Sequence, residues 1–267
     1  MSDNADQIRT FYHGYQDSED SRLVRHQLER DITLRYLDNY LPGAGRILEI
    51  GAATGAYTLW LAQSGYEVTA VDISPSLLER CKARIAEADL EDRVSCHVAD
   101  ALDLSTVCGT NFDAVLLMGP LYHLTEEQNR LAAIQQAAER LRPGGLFASA
   151  HISRLGILGN LLLVMPHWIT NQAEVRRLLT RGIEPTNNPG FHGYYASIEE
   201  IAPLHERAGL QTLLLAAVEP AISAADETYN TLTGQRRELW LNLLYQISAN
   251  PNLLASSRHL LYLARKN

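Results

Sequence analysis

Between a short apolar run and an amphipathic stretch the chain reads Glu49-Ile50-Gly51-Ala52-Ala53-Thr54-Gly55. Small residues at a strand-to-helix turn let the backbone approach a ligand closely, and the helix start presents N–H groups with no partner inside the helix. Asp72 closes the next predicted strand, where a carboxylate can accept both hydroxyls of a ribose. Together the turn and the acid describe a nucleoside site. Their spacing, E-x-G-A-A-T-G, is not the G-x-G-x-x-G of dinucleotide sites, whose helix N-terminus holds a pyrophosphate. Glu49 beside the turn would repel a pyrophosphate and suits a ligand bearing ammonium and sulfonium charge. The turn therefore disfavours a nicotinamide-dependent oxidoreductase. Plainer roles stand beside these: Glu49 could cap a neighbouring loop, Ile73 could be core, and Asp100 and Asp103 could be loop or cap residues.

The elements that would position these residues alternate. RILEI (46–50), EVTAVD (67–72), VSCHVAD (94–100), FDAVLLM (112–118) and LFASAHI (146–152) read as strands, and 54–64, 76–89 and 126–141 as helices. This order predicts right-handed βαβ units and a parallel sheet covered on both faces. Ser74-Pro75 opens one helix, Thr125 facing Gln128 opens another as a capping box, and Pro143-Gly144-Gly145 ends that second helix. Beyond Ile152 the alternation lapses. Residues 153–180 read as largely helical, 182–195 as a loop, 197–208 as a helix capped by Ser197 and closed by Gly209, and 210–218 as a strand. A mostly helical stretch, 224–248, precedes the last strand, HLLYLAR, and residues 1–41 read as helical ahead of the sheet.

Composition narrows the partners. Of 267 residues 46% are hydrophobic and 20% charged, enough for a real core. The net charge of -8 and the scatter of basic residues argue against nucleic acid as a substrate. The pairs Arg176-Arg177 and Arg236-Arg237 read as solvated helix surface. No apolar run reaches the ~18 to 20 residues of a membrane span, and the polar, acidic N-terminus is unlike a secretory signal. Cys81, Cys96 and Cys108 show no metal-ligand spacing and read as small core residues in a reduced, cytoplasmic setting.

RILEIGAATG, VTAVDIS, HVADALDL, FDAVLLMGPLYHL and RLRPGG follow one another in the order of the class I S-adenosylmethionine-dependent methyltransferases. The chain resembles that family closely over 46–152 and in outline elsewhere, most of all its small-molecule (type 11/12-like) branch, whose fourth strand ends in G-P-L-Y-H-L. The resemblance implies an α/β, Rossmann-like doubly wound fold with a mainly parallel seven-stranded sheet and helical insertions forming a substrate lid. It implies a single domain: a helical lid (1–41), a cofactor-binding core (46–152) and substrate-cap insertions (153–196 and 220–257).

The cofactor it implies is S-adenosyl-L-methionine. Gly51, Ala53 and Gly55 would line its methionine portion, with Glu49 near the ammonium. Asp72 would hold the ribose, Ile73 the adenine face, and Asp100 and the Ala101 N–H the adenine edge, while Met118 and Gly119 border the transferred methyl. The family often has glycine where this chain has Ala53, one added methyl that the site should tolerate. Tyr12 and Tyr15 would close over the cofactor with the N-terminal segment, and whether Arg22 reaches the cofactor carboxylate stays open. A valine at Gly51 is expected to fill ligand space without unfolding the chain.

The partner implied is a small-molecule methyl acceptor, with neither nucleic acid nor membrane involved; oligomeric state is left undetermined. Tyr12, Tyr15, Trp168, Phe191, His192, Tyr194, Tyr195 and Tyr229 are candidates to recognise it. His123 could take a proton from the acceptor or close its loop through backbone hydrogen bonds. The second reading is preferred, so no metal and no catalytic residue is assigned. A non-catalytic protein that binds the cofactor is the alternative function.

Overall fold

A computed structural model of the chain describes residues 3–185, 193–222 and 226–267. Four helices come first: α1 (Asp3–Gly14), α2 (Gln16–Asp20), α3 (Arg22–Arg25) and α4 (Gln27–Tyr40). The core then alternates β1 (Arg46–Ile50), α5 (Ala56–Gln63), β2 (Glu67–Asp72), α6 (Pro75–Glu87), β3 (Val94–Val98), β4 (Phe112–Leu117), α7 (Glu127–Arg140) and β5 (Leu141–Ile152). Two short helices, α8 (Leu158–Val164) and α9 (Gln172–Arg181), lead to α10 (Ile198–Glu206) and β6 (Leu210–Ala217). Helices α11 (Asp226–Asn230), α12 (Gly234–Ile247) and α13 (Pro251–Leu254) precede β7 (His259–Lys266).

The seven strands form one sheet in the order β3-β2-β1-β4-β5-β7-β6. β1 is parallel to β2 and β4, and β2–β3 and β4–β5 are parallel too, while β7 runs antiparallel to β5 and β6. The order reverses between β1 and β4, the switch point at whose strand ends open α/β sheets bind ligands. Both faces are covered, so successive residues of one strand enter different cores. Leu48, Ile50, Val115 and Leu117 pack with Ala133, Ile134 and Ala137 of α7 and with Ile201 and Leu204 of α10. Ile47, Ala114 and Leu116 pack on the opposite face with Leu28 and Ile32 of α4, Leu61 of α5 and Leu241 and Leu244 of α12. No helix among the described residues is long and apolar enough to cross a membrane.

Local differences from the sequence reading have identifiable causes. Ser74 does cap α6, accepting from the Leu77 N–H, and Ser197 with Glu200 forms a capping box on α10. Thr125 and Gln128 do not form one. Helix α7 begins a residue later with Glu126 as its N-cap and no side-chain cap bond. There Arg130 Nη1 reaches back to the carbonyls of Leu124 and Thr125 (2.8 and 2.9 Å) and holds that loop instead. Pro143-Gly144-Gly145 does not end α7 either: the helix passes straight into β5 at Leu141. The three residues lie in a bulge where pairing jumps from Phe112↔Leu141 to Ala114↔Leu146, with Gly144 at φ 69.

Cys81 is buried, but Cys96 is only half-buried and Cys108 is exposed, so Cys108 is not a core residue. Each arginine pair has one inward member. Arg177 Nη2 donates to the Glu184 carbonyl (3.0 Å) and Arg237 Nη2 to Asp31 (2.6 Å), while Arg176 and Arg236 are exposed.

Candidate functional site

The nucleoside-type turn is a strained loop held from beneath. Gly51 (φ 86), Ala53 (φ 48) and Gly55 (φ 83) all occupy the left-handed region. For Ala53 that conformation costs about 1 to 2 kcal/mol, which is the physical reason a glycine suits its position. Asp72 supplies the restraint: its Oδ2 accepts from the Ala53 N–H and its Oδ1 from the Ser74 N–H, both at 2.8 Å. The Val71 carbonyl takes the Gly51 and Ala52 N–H groups (2.8 and 3.0 Å). Asp72 thus joins β1 to β2 across the mouth of the site. Burial pushes its carboxyl up to about 6, against the backbone donors from Ser74 and Ala53 that favour ionisation.

A cavity of about 1150 Å³, counted out to its open mouth, lies over the C-terminal ends of β1, β2 and β4. Gly51, Ala53, Asp72, Ile73, Asp100, Ala101, Met118, Gly119 and Tyr12 all line it. Tyr15 lines an adjoining cavity instead, which shares Tyr12, Glu19, Arg22, Tyr122 and His259 with the first. Glu49 and Gly55 line neither. The Glu49 side chain is buried and accepts from Thr58 Oγ1 (2.6 Å), and burial raises its carboxyl to about 8 despite that bond. A Cβ on Gly55 would sit 2.5 Å from Cys81 Sγ, so that glycine lets α5 approach α6. Asp100 Oδ1 accepts from the Leu102 N–H (3.0 Å), shaping its own loop while bordering the cavity.

The N-terminal helices supply what the core motif lacks. Glu19, Asp20, Arg22 and Glu29 reach the cavity from α2, α3 and α4, with Ile8 and Tyr12 from α1. They are tied down from the core: Arg84 of α6 pairs with Asp20 (2.8 Å) and donates to Thr54, Arg80 pairs with Asp17 (2.6 Å), and Arg9 Nε donates to the Ile73 carbonyl (3.1 Å). Arg22 is committed to Glu29, with Nη1 2.8 and 2.9 Å from its two oxygens, and Glu19 lies 3.4 Å from Nε.

Trp168, Tyr194, Tyr195 and Tyr229 line neither cavity. Tyr194 lies under Arg130, whose guanidinium is 3.4 Å from its ring centroid, and Tyr229 donates to Asp31 (3.0 Å). Phe191 and His192 fall outside the described residues.

His123 is buried at the cavity edge, with Nε2 2.8 Å from the Tyr12 hydroxyl and the two rings edge-on. Burial lowers its pKa from 6.5 to about 4. Both facts fit a residue that closes the loop under α1. The unfolded chain takes a proton on His123 more readily than the folded one. The stability this represents is therefore complete above about pH 6.5 and is lost as pH falls towards about 4, on the order of 3 kcal/mol at most. The deficit of His123→Asn relative to wild type, from urea unfolding at about pH 7.5, should accordingly shrink by up to that amount at about pH 4.5. An equal deficit at both would show that the buried ring does not titrate with unfolding.

Residues 47–145 match the family model described as a methyltransferase domain. The 27-O-demethylrifamycin SV methyltransferase of Amycolatopsis mediterranei is 32% identical over 192 residues, 68% of this chain and 64% of that protein. A ubiquinone biosynthesis O-methyltransferase of Xanthomonas campestris pv. campestris is 31% identical over 142 residues, 53% of this chain and 54% of its own length. The chain thus spans somewhat over half the length of these curated relatives. Among solved structures, a SAM-dependent methyltransferase from Methanosarcina mazei superposes with a TM-score of 0.61 at 16% identity, over 86% of this chain and 96% of that one. The 1,6-didemethyltoxoflavin-N1-methyltransferase of Burkholderia thailandensis, solved with 1,6-didemethyltoxoflavin and S-adenosylhomocysteine bound, gives 0.60 at 16% identity, covering 98% of this chain and 88% of that one. At these identities the structural likeness speaks for the fold, and the sequence relatives speak for the lineage. By the two together, residues 47–145 are a methyltransferase domain, and the chain shares the fold of the S-adenosylmethionine-dependent methyltransferases.

Proposed function

We propose that this chain transfers a methyl group from S-adenosylmethionine to an oxygen, nitrogen or sulfur atom of a small molecule. The observation that carries the reading is the charge of the cavity at the switch point. Glu19, Asp20, Glu29, Asp72 and Asp100 line it against one guanidinium, that of Arg22. An acidic lining suits a ligand with ammonium and sulfonium charge and disfavours the pyrophosphate of a nicotinamide cofactor. Relatives named as methyltransferases favour catalysis over binding alone, and both names specify oxygen as the methylated atom.

The residues present fit the cofactor. Each Asp72 oxygen holds one backbone N–H, which leaves a second lone pair on each for the ribose hydroxyls. Ile73 offers an apolar face for the adenine, and Asp100 with the Ala101 N–H its polar edge. Gly51 and Ala53 present the turn's backbone to the methionine portion, and Met118 and Gly119 border the methyl. The carboxylates facing the ammonium are those of the N-terminal helices rather than Glu49. When bound, S-adenosylmethionine supplies a methyl group already activated on sulfur. The chain's task is then to hold the acceptor in line and exclude water, and such alignment lowers a barrier by about 7 to 11 kcal/mol. Helices α1 to α3, held over the cavity by Arg9 on the Ile73 carbonyl, by Arg80 and Arg84 on α2 and by Arg22 on Glu29, perform the exclusion.

Titration calorimetry tests the reading. S-adenosylmethionine and S-adenosylhomocysteine should bind at micromolar levels, about -8 kcal/mol, and NAD should not. Binding of NAD with no response to S-adenosylhomocysteine would return the oxidoreductase reading.

A further inference from the structure

A buried charge network reaches the cavity through His259, and its members Glu219, Arg258 and His259 have no part in the cofactor assignment. Glu219, fully buried in the connection after β6, receives the His259 backbone N–H at 2.9 Å and the Arg258 guanidinium. Glu29 receives Arg22. Between the two carboxylates stands the His259 ring, its Nδ1 3.2 Å from Glu219 Oε2 and 3.4 Å from Glu29 Oε2. Arg258 Nε also donates towards Nδ1, at 3.4 Å. Two carboxylate oxygens on the same nitrogen outweigh that one long guanidinium contact, and they favour the tautomer with the proton on Nδ1 and Nε2 as acceptor. The ring borders both cavities. It opens β7 opposite Ile152, at the C-terminal end of β5, on the side of the sheet away from Asp72.

We infer that His259, oriented by Glu219, is the base that receives the acceptor's proton, and that the adjoining cavity takes the hydroxyl of a flat aromatic ring. This rests on the methyltransferase reading above. A carboxylate that fixes one imidazole nitrogen and stabilises the imidazolium is the arrangement that makes histidine an effective base. The two glutamates are already matched by Arg22 and Arg258, so the group that gains charge in the step is the imidazole itself. Burial alone would push Glu219 up, yet His259 and Arg258 hold it down at about 2, so it stays anionic to receive the imidazolium. In the step the O–H bond breaks, its proton joins Nε2, and the electron pair stays on oxygen, ready to bond to the methyl carbon.

The acceptor class follows from what such a base is asked to do. A phenol, near ~10, releases its proton more readily than an aliphatic hydroxyl near water's ~15.7, whose proton a triad-type base takes only as the new bond forms. The walls agree. Phe11, Tyr12, Tyr15 and Tyr122 surround the adjoining cavity with Ile152 and His259, and aromatic walls favour stacked or edge-on aromatic ligands. The titratable and charged groups facing His259 are Glu29 from α4, Arg22 from α3, Glu219 after β6 and Arg258 before β7, with Glu19, Tyr12 and Tyr122 sharing the adjoining cavity.

The probe is 4-nitrophenol, a phenol acidified by its nitro group, added to the full chain saturated with S-adenosylhomocysteine. Below the free phenol's pKa, wild type should bind it with the yellow phenolate band, the proton having moved to His259. In His259→Gln the ring should still bind while the phenolate share falls by about tenfold or more, and Glu219→Gln should fall between. Melting curves confirm that both variants are folded, and nitrogen-15 imidazole spectra should show His259 losing its preference for the Nδ1–H tautomer in Glu219→Gln. A colourless bound probe, or a band unchanged in His259→Gln, overturns the base assignment. Absence of probe binding to the S-adenosylhomocysteine-loaded protein overturns the acceptor class. Failure to bind S-adenosylhomocysteine itself would instead overturn the underlying function.

Discussion

Gly51→Val should lower the melting temperature of the ligand-free protein sharply, and loss of cofactor binding should be a consequence of that collapse. A side chain at Gly51 was expected from sequence to occupy only ligand space. The structure assigns it a different neighbour: a Cβ there would stand 2.4 Å from the Met118 carbonyl oxygen and 2.6 Å from Pro120 Cδ. The first of these is backbone of the segment following β4, fixed by the Met118 N–H to Ile50 carbonyl bond (2.8 Å), and cannot move aside cheaply. The φ of 86 adds strain of its own. A left-handed penalty of about 1 to 2 kcal/mol with overpacking of about 1 to 3 kcal/mol removes a large part of a typical stability of about 5 to 15 kcal/mol. Calorimetric melting of the apo variant decides the matter. A cooperative transition at the wild-type temperature, with S-adenosylhomocysteine binding gone, would restore the view that Gly51 only makes room for the ligand.

What could be read from residues alone follows a physical line. The β1-to-β5 core was legible because strand and helix periodicities there are strong and the turn residues sit where the chain must reverse. The bulge at 142–145 was not, because a Pro-Gly-Gly triplet marks a break in pairing as readily as a helix end. Thr125 misled for a related reason: the capping pattern is local, while Arg130, a long side chain further along the helix, takes over the loop carbonyls. In the site, the positions gathered from the strand ends, such as Asp72, Asp100 and Met118, border one cavity because parallel topology delivers every such end to the same side. Glu49 shows the limit. Its place at the end of β1 was legible, but the direction of its side chain is set by Thr58 on α5. Glu19, Asp20 and Glu29 carry no motif, and the ion pairs that bring the helix of Glu19 and Asp20 over the cavity join α2 to α6, far apart in sequence. His259 was invisible for the same reason, since nothing near it in the chain marks Glu29 or Glu219 as its neighbours.

Asp72→Ala should weaken S-adenosylhomocysteine binding by about 1.5 to 3 kcal/mol, roughly 10- to 150-fold, the loss of charge-assisted hydrogen bonds to a ribose. The same carboxylate holds the Ala53 and Ser74 N–H groups, so the substitution also frees a left-handed alanine from the group that restrains it, and the loop loses its preformed shape. Asp72→Asn separates the two contributions. Its carboxamide oxygen can keep one backbone donor, but it cannot accept on both sides, so its affinity should fall between wild type and alanine. Proton dependence supplies an independent check. With its pKa raised to about 6 by burial, Asp72 is ionised at pH above that value and accepts from both ribose hydroxyls. As pH falls through about 6 the carboxyl becomes protonated, and wild-type affinity should drop. In Asp72→Asn that decline should be absent, because the amide carries no titrating proton. If Asp72→Ala binds as tightly as wild type, or if the asparagine variant keeps the wild-type pH dependence, the ribose is held by another group and the assignment of Asp72 is wrong.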